Sequence, residues 1–226
     1  MKTKISKGKC NLCGTTFDKT AMTRHLKSCI QKQIAQKPSE SKKPQTTKVF
    51  HLLVEGQYLP EYWMHIEIPA KATLAELDAF LRDIWLECCG HLSAFTINGR
   101  DYSRESSEWS DNADMDIPLI RVLDIGMKFY HEYDFGTSTN LAIKVVASRE
   151  SAIKKNAINI LARNDLPEIP CGECGKIATN ICVECICTGE GWLCDKCAEK
   201  HTCGEELLLP VVNSPRVGMC GYTGED

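Results

Sequence analysis

Residues 50–56 (FHLLVEG) and 63–70 (WMHIEIPA) alternate apolar and polar side chains closely enough to predict two strands, joined across Gly56–Pro60 as a hairpin. The period then changes. Thr73-Leu-Ala-Glu76 has the form of a capping box, and Leu74, Leu77, Leu81, Ile84 and Trp85 follow at helical spacing, so a helix is expected to end near Cys88-Cys89-Gly90. HLSAFTINGRDYS (91–103) predicts a strand, an Asn98-Gly99 turn and a short partner strand. Residues 103–116 are acidic and rich in turn formers and read as a loop, after which MKFYHEYDF and LAIKVVAS supply two closing strands. Residues 48–148 are thus expected to form an α+β core of strand-strand-helix-strand order. Beyond it, SAIKKNAINILARN (151–164) places Ile153, Ala157, Ile160 and Leu161 on one helical face, so a connecting helix is expected within 149–170, with Pro167 and Pro170 ending it. Residues 33–47 lack any periodic pattern and read as a flexible tether.

The cysteines change this picture at both ends. In the C-terminal segment 171–226 they run Cys171-x2-Cys174-x7-Cys182-x2-Cys185-x8-Cys194-x2-Cys197-x3-His201-x1-Cys203. Two residues between cysteines let both thiolates of a knuckle reach one tetrahedral zinc, and two knuckles complete a closed site. Ten candidate ligands stand between Cys171 and Cys220, two more than two metals need, and spacing permits sequential or interleaved pairing. Cys220 and Cys187 are each available in place of the final Cys203. In residues 1–32, Cys10-x2-Cys13-x11-His25-x3-Cys29 is a second pattern, with His25 and Cys29 four apart on one helical face and Phe17, Met22 and Leu26 beside them as a small apolar core. A unit of that size folds only with its metal. The alternative is a disulfide framework or buried free thiols. Fourteen cysteines behind an N-terminus without a secretory pattern point to a reducing, cytoplasmic setting and about three zincs per chain.

Charge is distributed unevenly. Residues 1–49 carry twelve Lys/Arg against Asp18 and Glu40, a net of +10, and the remainder of the chain carries −13. A basic arm of this kind suits a polyanion, with Lys19, Arg24, Lys27 and Lys32 as candidate phosphate contacts; the plainer reading is a solubilising tail on an acidic body. No run approaches the ~18 apolar residues of a membrane span, so no membrane partner is expected. P-loop, GxGxxG and GxSxG motifs are missing, and Asp134-Phe135-Gly136 stands without the other kinase segments. His91, His131, Tyr133 and Asp134 could in principle meet in a cleft as acid–base groups, but the reading preferred here is that they are satisfied polar residues at strand edges. Cys88-Cys89 reads as core filler, and Arg216 and Tyr222 as surface positions.

Three resemblances add to this. The stretch CNLCGTTFDKTAMTRHLKSC resembles CCHC variants of the single zinc finger, particularly the ubiquitin-binding type ending H-L-D-S-C; Lys27 replaces that acidic residue, which weighs against ubiquitin. HLLVEG, WMHIEIPAKATLAELDAFLRDIW, HLSAFTINGRDYS and MKFYHEYDFG together resemble the plasmid pRiA4b ORF-3-like family, some of whose members are passengers of insertion elements. That resemblance covers about residues 48–148 and implies a compact α+β domain, while Thr137–Asn140 stand where members usually continue with acidic residues and a Trp. The order of cysteine pairs resembles cross-brace modules of the MYND and B-box kind, which implies interleaved pairing: Cys171, Cys174, Cys194 and Cys197 on one metal, Cys182, Cys185, His201 and Cys203 on the other. The expected function is that of a zinc-binding adaptor of a prokaryotic mobile element, touching nucleic acid through residues 1–48 and a protein partner through the C-terminal module. The rivals are an enzyme acting on nucleic acid or nucleotide in the central domain, and a purely protein-binding module.

Overall fold

A computed structural model describes residues 6–36, 46–104, 113–151 and 157–224. The fold is α+β and mostly strand, and the chain divides into two compact units, Met1–Phe80 with Leu92–Asp165, and Leu81–His91 with Leu166–Asp226.

The first unit is built on one sheet. Its strands are β1 (Lys7–Cys10), β2 (Thr16–Asp18), β3 (Thr47–Gly56), β4 (Trp63–Pro69), β5 (Ser93–Ile97), β6 (Arg100–Ser103), β7 (Ala113–Asp114), β8 (Lys128–Tyr133), β9 (Thr139–Ser151) and β10 (Asn159–Asn164). Their spatial order is β2-β1-β10-β4-β3-β9-β8-β5-β6-β7, antiparallel except for the β6–β7 pair. The hairpin β3–β4 keeps a regular register from Val49 opposite Pro69 to Glu55 opposite Trp63. Asn98 (φ 51°) and Gly99 (φ 76°) turn β5 into β6, the left-handed pair that a two-residue hairpin requires. Helix α2 (Leu74–Leu81) begins at a reciprocal capping box: the Thr73 amide donates to Glu76 Oε2 at 2.8 Å, and the Glu76 amide donates to Thr73 Oγ1 at 3.1 Å.

Two expectations are corrected. The connecting helix within 149–170 is not formed: β9 runs to Ser151, residues 152–156 lie outside the described residues, and Asn159–Asn164 is strand. Strand pairing on both sides, with β1 and with β4, outweighs the helical spacing. The tether expected at 33–47 is helical through Gln36, where α1 (Lys19–Gln36) ends, and β3 already begins at Thr47; residues 37–45 lie outside the described residues.

The N-terminal finger is therefore part of the sheet. β1 pairs with β10, the Asp165 amide donates to Lys7 O at 2.8 Å, and the Asn11 amide donates to Leu161 O at 2.8 Å. Gly8 permits this approach, because a Cβ there would meet Arg163 O at 2.2 Å. Met22 and Leu26 of α1 are buried with Trp63, Leu161 and Ala162, so the finger shares its core with β4 and β10. The Trp63 indole N–H donates to Ser6 Oγ at 2.8 Å, and its amide donates to Asn164 Oδ1 at 2.8 Å.

A polar stripe crosses the same face. His51 Nε2 lies 2.9 Å from His65 Nδ1, and His65 Nε2 lies 3.2 Å from Thr23 Oγ1, linking β3 through β4 to α1. Nearby, Arg149 grips the buried Glu67 carboxylate with two hydrogen bonds of 2.6 Å. Burial first, then Arg149 and Lys27, pushes His51 down to about 4; burial first, then His51 and Lys19, pushes His65 down to about 3. Both values lie below the ordinary histidine value, so the unfolded chain binds protons that the folded chain refuses. Stability from the neutral pair is present above about pH 6.5 and is lost as pH falls towards 4 and then 3, about 3 kcal/mol for His51 by pH 4. A histidine proton NMR titration is expected to find both rings neutral at pH 5; a protonated His51 at pH 6 would contradict this.

The second unit has a small sheet of order β12-β11-β13, made of β11 (Asn180–Cys182), β12 (Trp192–Leu193) and β13 (Leu208–Pro210), with the one-turn helix α3 (Asp195–Ala198). Its start, Arg82–Leu86, is a π-turn in which the Glu87 amide bonds back to Arg82 O at 2.8 Å. Arg216 and Tyr222, expected at the surface, are buried within this unit.

Candidate metal centres

The two best-formed knuckles have one local design. In Cys10–Thr15 the Gly14 amide donates to Cys10 O at 2.7 Å and the Cys10 amide to Thr15 O at 2.9 Å. In Cys171–Lys176 the Gly175 amide donates to Cys171 O at 2.9 Å and the Cys171 amide to Lys176 O at 2.6 Å. Both turns need a left-handed residue after the second cysteine, and Gly14 (φ 77°) and Gly175 (φ 73°) supply it.

In the finger, Cys10 closes β1, Cys13 sits in the turn, and His25 and Cys29 descend from one face of α1. Cys13 Sγ is 3.3 Å from His25 Nε2, Cys10 Sγ is 4.0 Å from Cys29 Sγ, and Phe17 stacks on the His25 ring at 4.3 Å. In the C-terminal module the convergence is interleaved. Cys171 and Cys174 meet Cys194 and Cys197, which flank the start of α3, with Cys174 and Cys194 Sγ 3.6 Å apart. Cys182 from β11 and Cys185 meet His201 and Cys203, with Cys185 Sγ 3.4 Å from His201 Nε2 and 3.6 Å from Cys203 Sγ. Thr179 Oγ1 and Asn180 Nδ2 donate to Asp195 Oδ1 at 2.5 and 3.0 Å, fixing α3 on β11. The side chain of Cys187 lies outside the described residues.

These separations fit a metal. With metal–sulfur bonds of about 2.3 Å and metal–nitrogen bonds of about 2.0 Å, tetrahedral edges are about 3.8 Å for S–S and about 3.5 Å for S–N. Among the described residues all thirteen cysteines are free thiols, with no two sulfurs at bonding distance. Within each ligand group, those atoms lie inside 4.8 Å of one another.

The thiols also oppose one another's ionisation. The Thr15 hydroxyl and amide lower Cys13 to about 6, while burial, followed by Cys13 and Cys10, pushes Cys29 up to about 12. Burial raises Cys171 and Cys182, yet surrounding backbone amides bring them down to about 6 and 7. Cys197 and Cys185 are pushed up to about 12, chiefly by hydrogen bonding with Cys174 and Cys203. A quartet of this kind becomes fully anionic only around a cation. Four protein ligands leave no position for water or substrate, so such a site is a scaffold.

A fourth group has no knuckle spacing: Cys88, Cys89, His91 and Cys220. Sequence reasoning left these residues as core filler, acid–base candidate and spare ligand. The four groups absorb every described cysteine.

No acid–base cleft forms from the other candidates. His131 is fully buried with Nε2 2.8 Å from Asp78 Oδ1, and Ser93 Oγ donates to that same oxygen at 2.6 Å. The hydroxyl bonds the carboxylate and not the imidazole, so the three do not form a hydroxyl–imidazole–carboxylate relay. Asp134 (φ 65°) accepts from the Gly136 and Thr137 amides at 3.1 and 3.2 Å, closing its own turn, and Tyr133 is buried on β8. Of the basic candidates, Lys19 pairs with Glu55 and donates to Pro60 O at 3.2 Å, whereas Arg24, Lys27 and Lys32 are exposed on α1. No helix among the described residues is long and apolar enough to cross a membrane.

No protein-family model and no curated protein matches the chain. Among solved structures it is similar to MM3350, a protein of unknown function from Methanosarcina mazei Go1, with 17% identity and a TM-score of 0.45 over 53% of this chain and 70% of that one.

Proposed function

We propose that this chain is a zinc-stabilised binding protein of the pRiA4b ORF-3-like kind, an accessory factor of a mobile element that touches nucleic acid through its finger. Zinc is the favoured occupant because the ligand sets are thiolate-rich, four-membered and free of open positions, and because a reducing cytoplasm keeps such thiols available. The observation that carries nucleic-acid binding is the outward side of α1, where Arg24, Lys27 and Lys32 stand exposed while Lys19 is occupied by Glu55. A finger fixed to a sheet presents those cations at constant spacing, which suits a phosphate backbone. A protein partner for the C-terminal module is the other half of the reading, supported by a concavity lined by Asn180, Glu199, Glu205 and Leu208.

The test uses the full chain, because deleting the finger would remove β1 and β2 from the sheet. Three phosphate contacts imply about a 40-fold loss of affinity for duplex DNA, and about a 20-fold loss for a single strand, between 50 and 200 mM salt. The charge-reversed variant Arg24→Glu/Lys27→Glu/Lys32→Glu is expected to lose binding while retaining its metal and its thermal midpoint. Undiminished binding by that variant would refute the role of the finger.

A further inference from the structure

We infer that Cys88, Cys89, His91 and Cys220 form a fourth metal site, a Cys3His clasp for a thiophilic divalent cation of the zinc class. It rests on the same zinc reading as the other three groups and differs from them in architecture. Three separations are close to tetrahedral edges: Cys88 to Cys89 Sγ 3.5 Å, Cys89 to Cys220 Sγ 3.7 Å and His91 Nε2 to Cys220 Sγ 3.3 Å; His91 Nε2 to Cys89 Sγ, at 2.9 Å, is shorter and would open on binding. All four residues belong to the second unit, three from its first segment and one from the end of its last. No knuckle brings them together.

The backbone is shaped for this convergence. Cys220 holds φ 47°, a left-handed conformation that is uncommon for cysteine, between Gly218 (φ 77°) and Gly221 (φ 70°). Gly90 (φ 77°) separates Cys89 from His91 and reverses the chain so that both side chains reach the same point. Ser214 Oγ donates to Trp85 O at 2.6 Å and accepts from the Arg216 amide at 2.9 Å, bringing the tail to the Arg82–Leu86 turn before Cys220 is reached.

An independent observation concerns charge. Arg216 is fully buried, and its Nη2 donates to Cys88 Sγ at 3.3 Å. A neutral thiol is a weak acceptor, whereas a thiolate is a natural partner for a guanidinium. Loading the site releases three thiol protons to solvent, and three thiolates, one neutral imidazole and one divalent cation sum to −1, which the Arg216 charge offsets. Burying that arginine is thereby compensated by the metal site itself. Cys89 and Cys220 are exposed, in contrast to the buried Cys171 and Cys194, so this cation is the most accessible to a competing chelator.

The full chain, purified with a reductant, is to be weighed by native mass spectrometry and its zinc counted. Four ions are expected, falling to three in Cys220→Ser and in Cys89→Ser, with the thermal midpoint of the sheet unit unchanged in both. When cobalt replaces zinc, the thiolate-to-cobalt absorption is expected to drop in each variant, and mild chelation should extract one ion ahead of the others. Three ions in the wild type and three in both variants would overturn the fourth site while leaving the other centres standing; no ion at all would remove the zinc reading with it. A Cys89–Cys220 disulfide in protein that keeps its other metals would likewise overturn it.

Discussion

Stripping the metals is expected to unfold the second unit while the large sheet survives. The strands β11, β12 and β13 have three, two and three residues, and the buried cluster beside them consists of Cys171, Leu193, Cys194 and Ala198. Two of those four are candidate metal ligands. The unit also buries Trp85, Leu86, Ile181, Val217 and Tyr222, still a small core for a unit of its length. Structural zinc contributes roughly 10–16 kcal/mol per site at neutral pH, so two occupied sites in the module would make the difference between a fold and an open chain. Hydrogen exchange after treatment with a strong chelator should show protection lost across residues 171–210 and retained in β3, β4 and β9. Protection of β11 and α3 in demonstrably metal-free protein would show that side-chain packing, not metal, holds the module.

Trp63→Ala is expected to be the most damaging single change in the first unit. The indole is fully buried against Met22, Leu26, Leu161 and Ala162, and its N–H is bonded to Ser6. Truncation removes a large apolar surface, leaves a cavity between helix and sheet, and strips Ser6 of its donor, together about 3–5 kcal/mol. A unit of this size should lose roughly 10 °C in thermal midpoint. Because Cys10 and Cys29 belong to the same packed cluster, the finger should also hold its metal less tightly in chelator competition. Trp63→Phe keeps most of the apolar volume and is expected to recover most of the loss. A drop below about 1 kcal/mol in the alanine variant would mean that the finger is not seated through Trp63.

What could be read from the sequence was local. The capping box at Thr73, the Asn98-Gly99 turn and the hairpin β3–β4 are each written in a few adjacent residues, and each has one physical solution. The knuckles likewise announced themselves by spacing, because two cysteines three apart can approach one point with little help from the rest of the chain. What could not be read depended on distant pairing. Residues 159–164 carry apolar side chains at helical spacing, yet they form β10, and a register shift between Ile160 and Ala162 buries the consecutive Leu161 and Ala162. A bulge of this kind erases the alternation by which a strand is recognised. The Cys220 group lay beyond reach for a related reason: its members are 129–132 positions from Cys220, and a neighbouring cysteine pair has no ligand spacing of its own. The available signal was arithmetic, since assigning twelve ligands to three sites leaves Cys88, Cys89, Cys187 and Cys220, with a histidine two residues from Cys89.

The pairing of β1 with β10 has a bearing on solubility. A long antiparallel sheet is vulnerable at its ends, where unpaired amides and carbonyls can recruit a strand from another molecule. Here one end closes with the two-residue β7 and the other with the three-residue β2, both too short to template much. That second closure exists only while the finger is folded. A chain whose finger came apart would uncover the outer edge of β10, six residues ready to pair, so a cation held by Cys10, Cys13, His25 and Cys29 would also guard against aggregation.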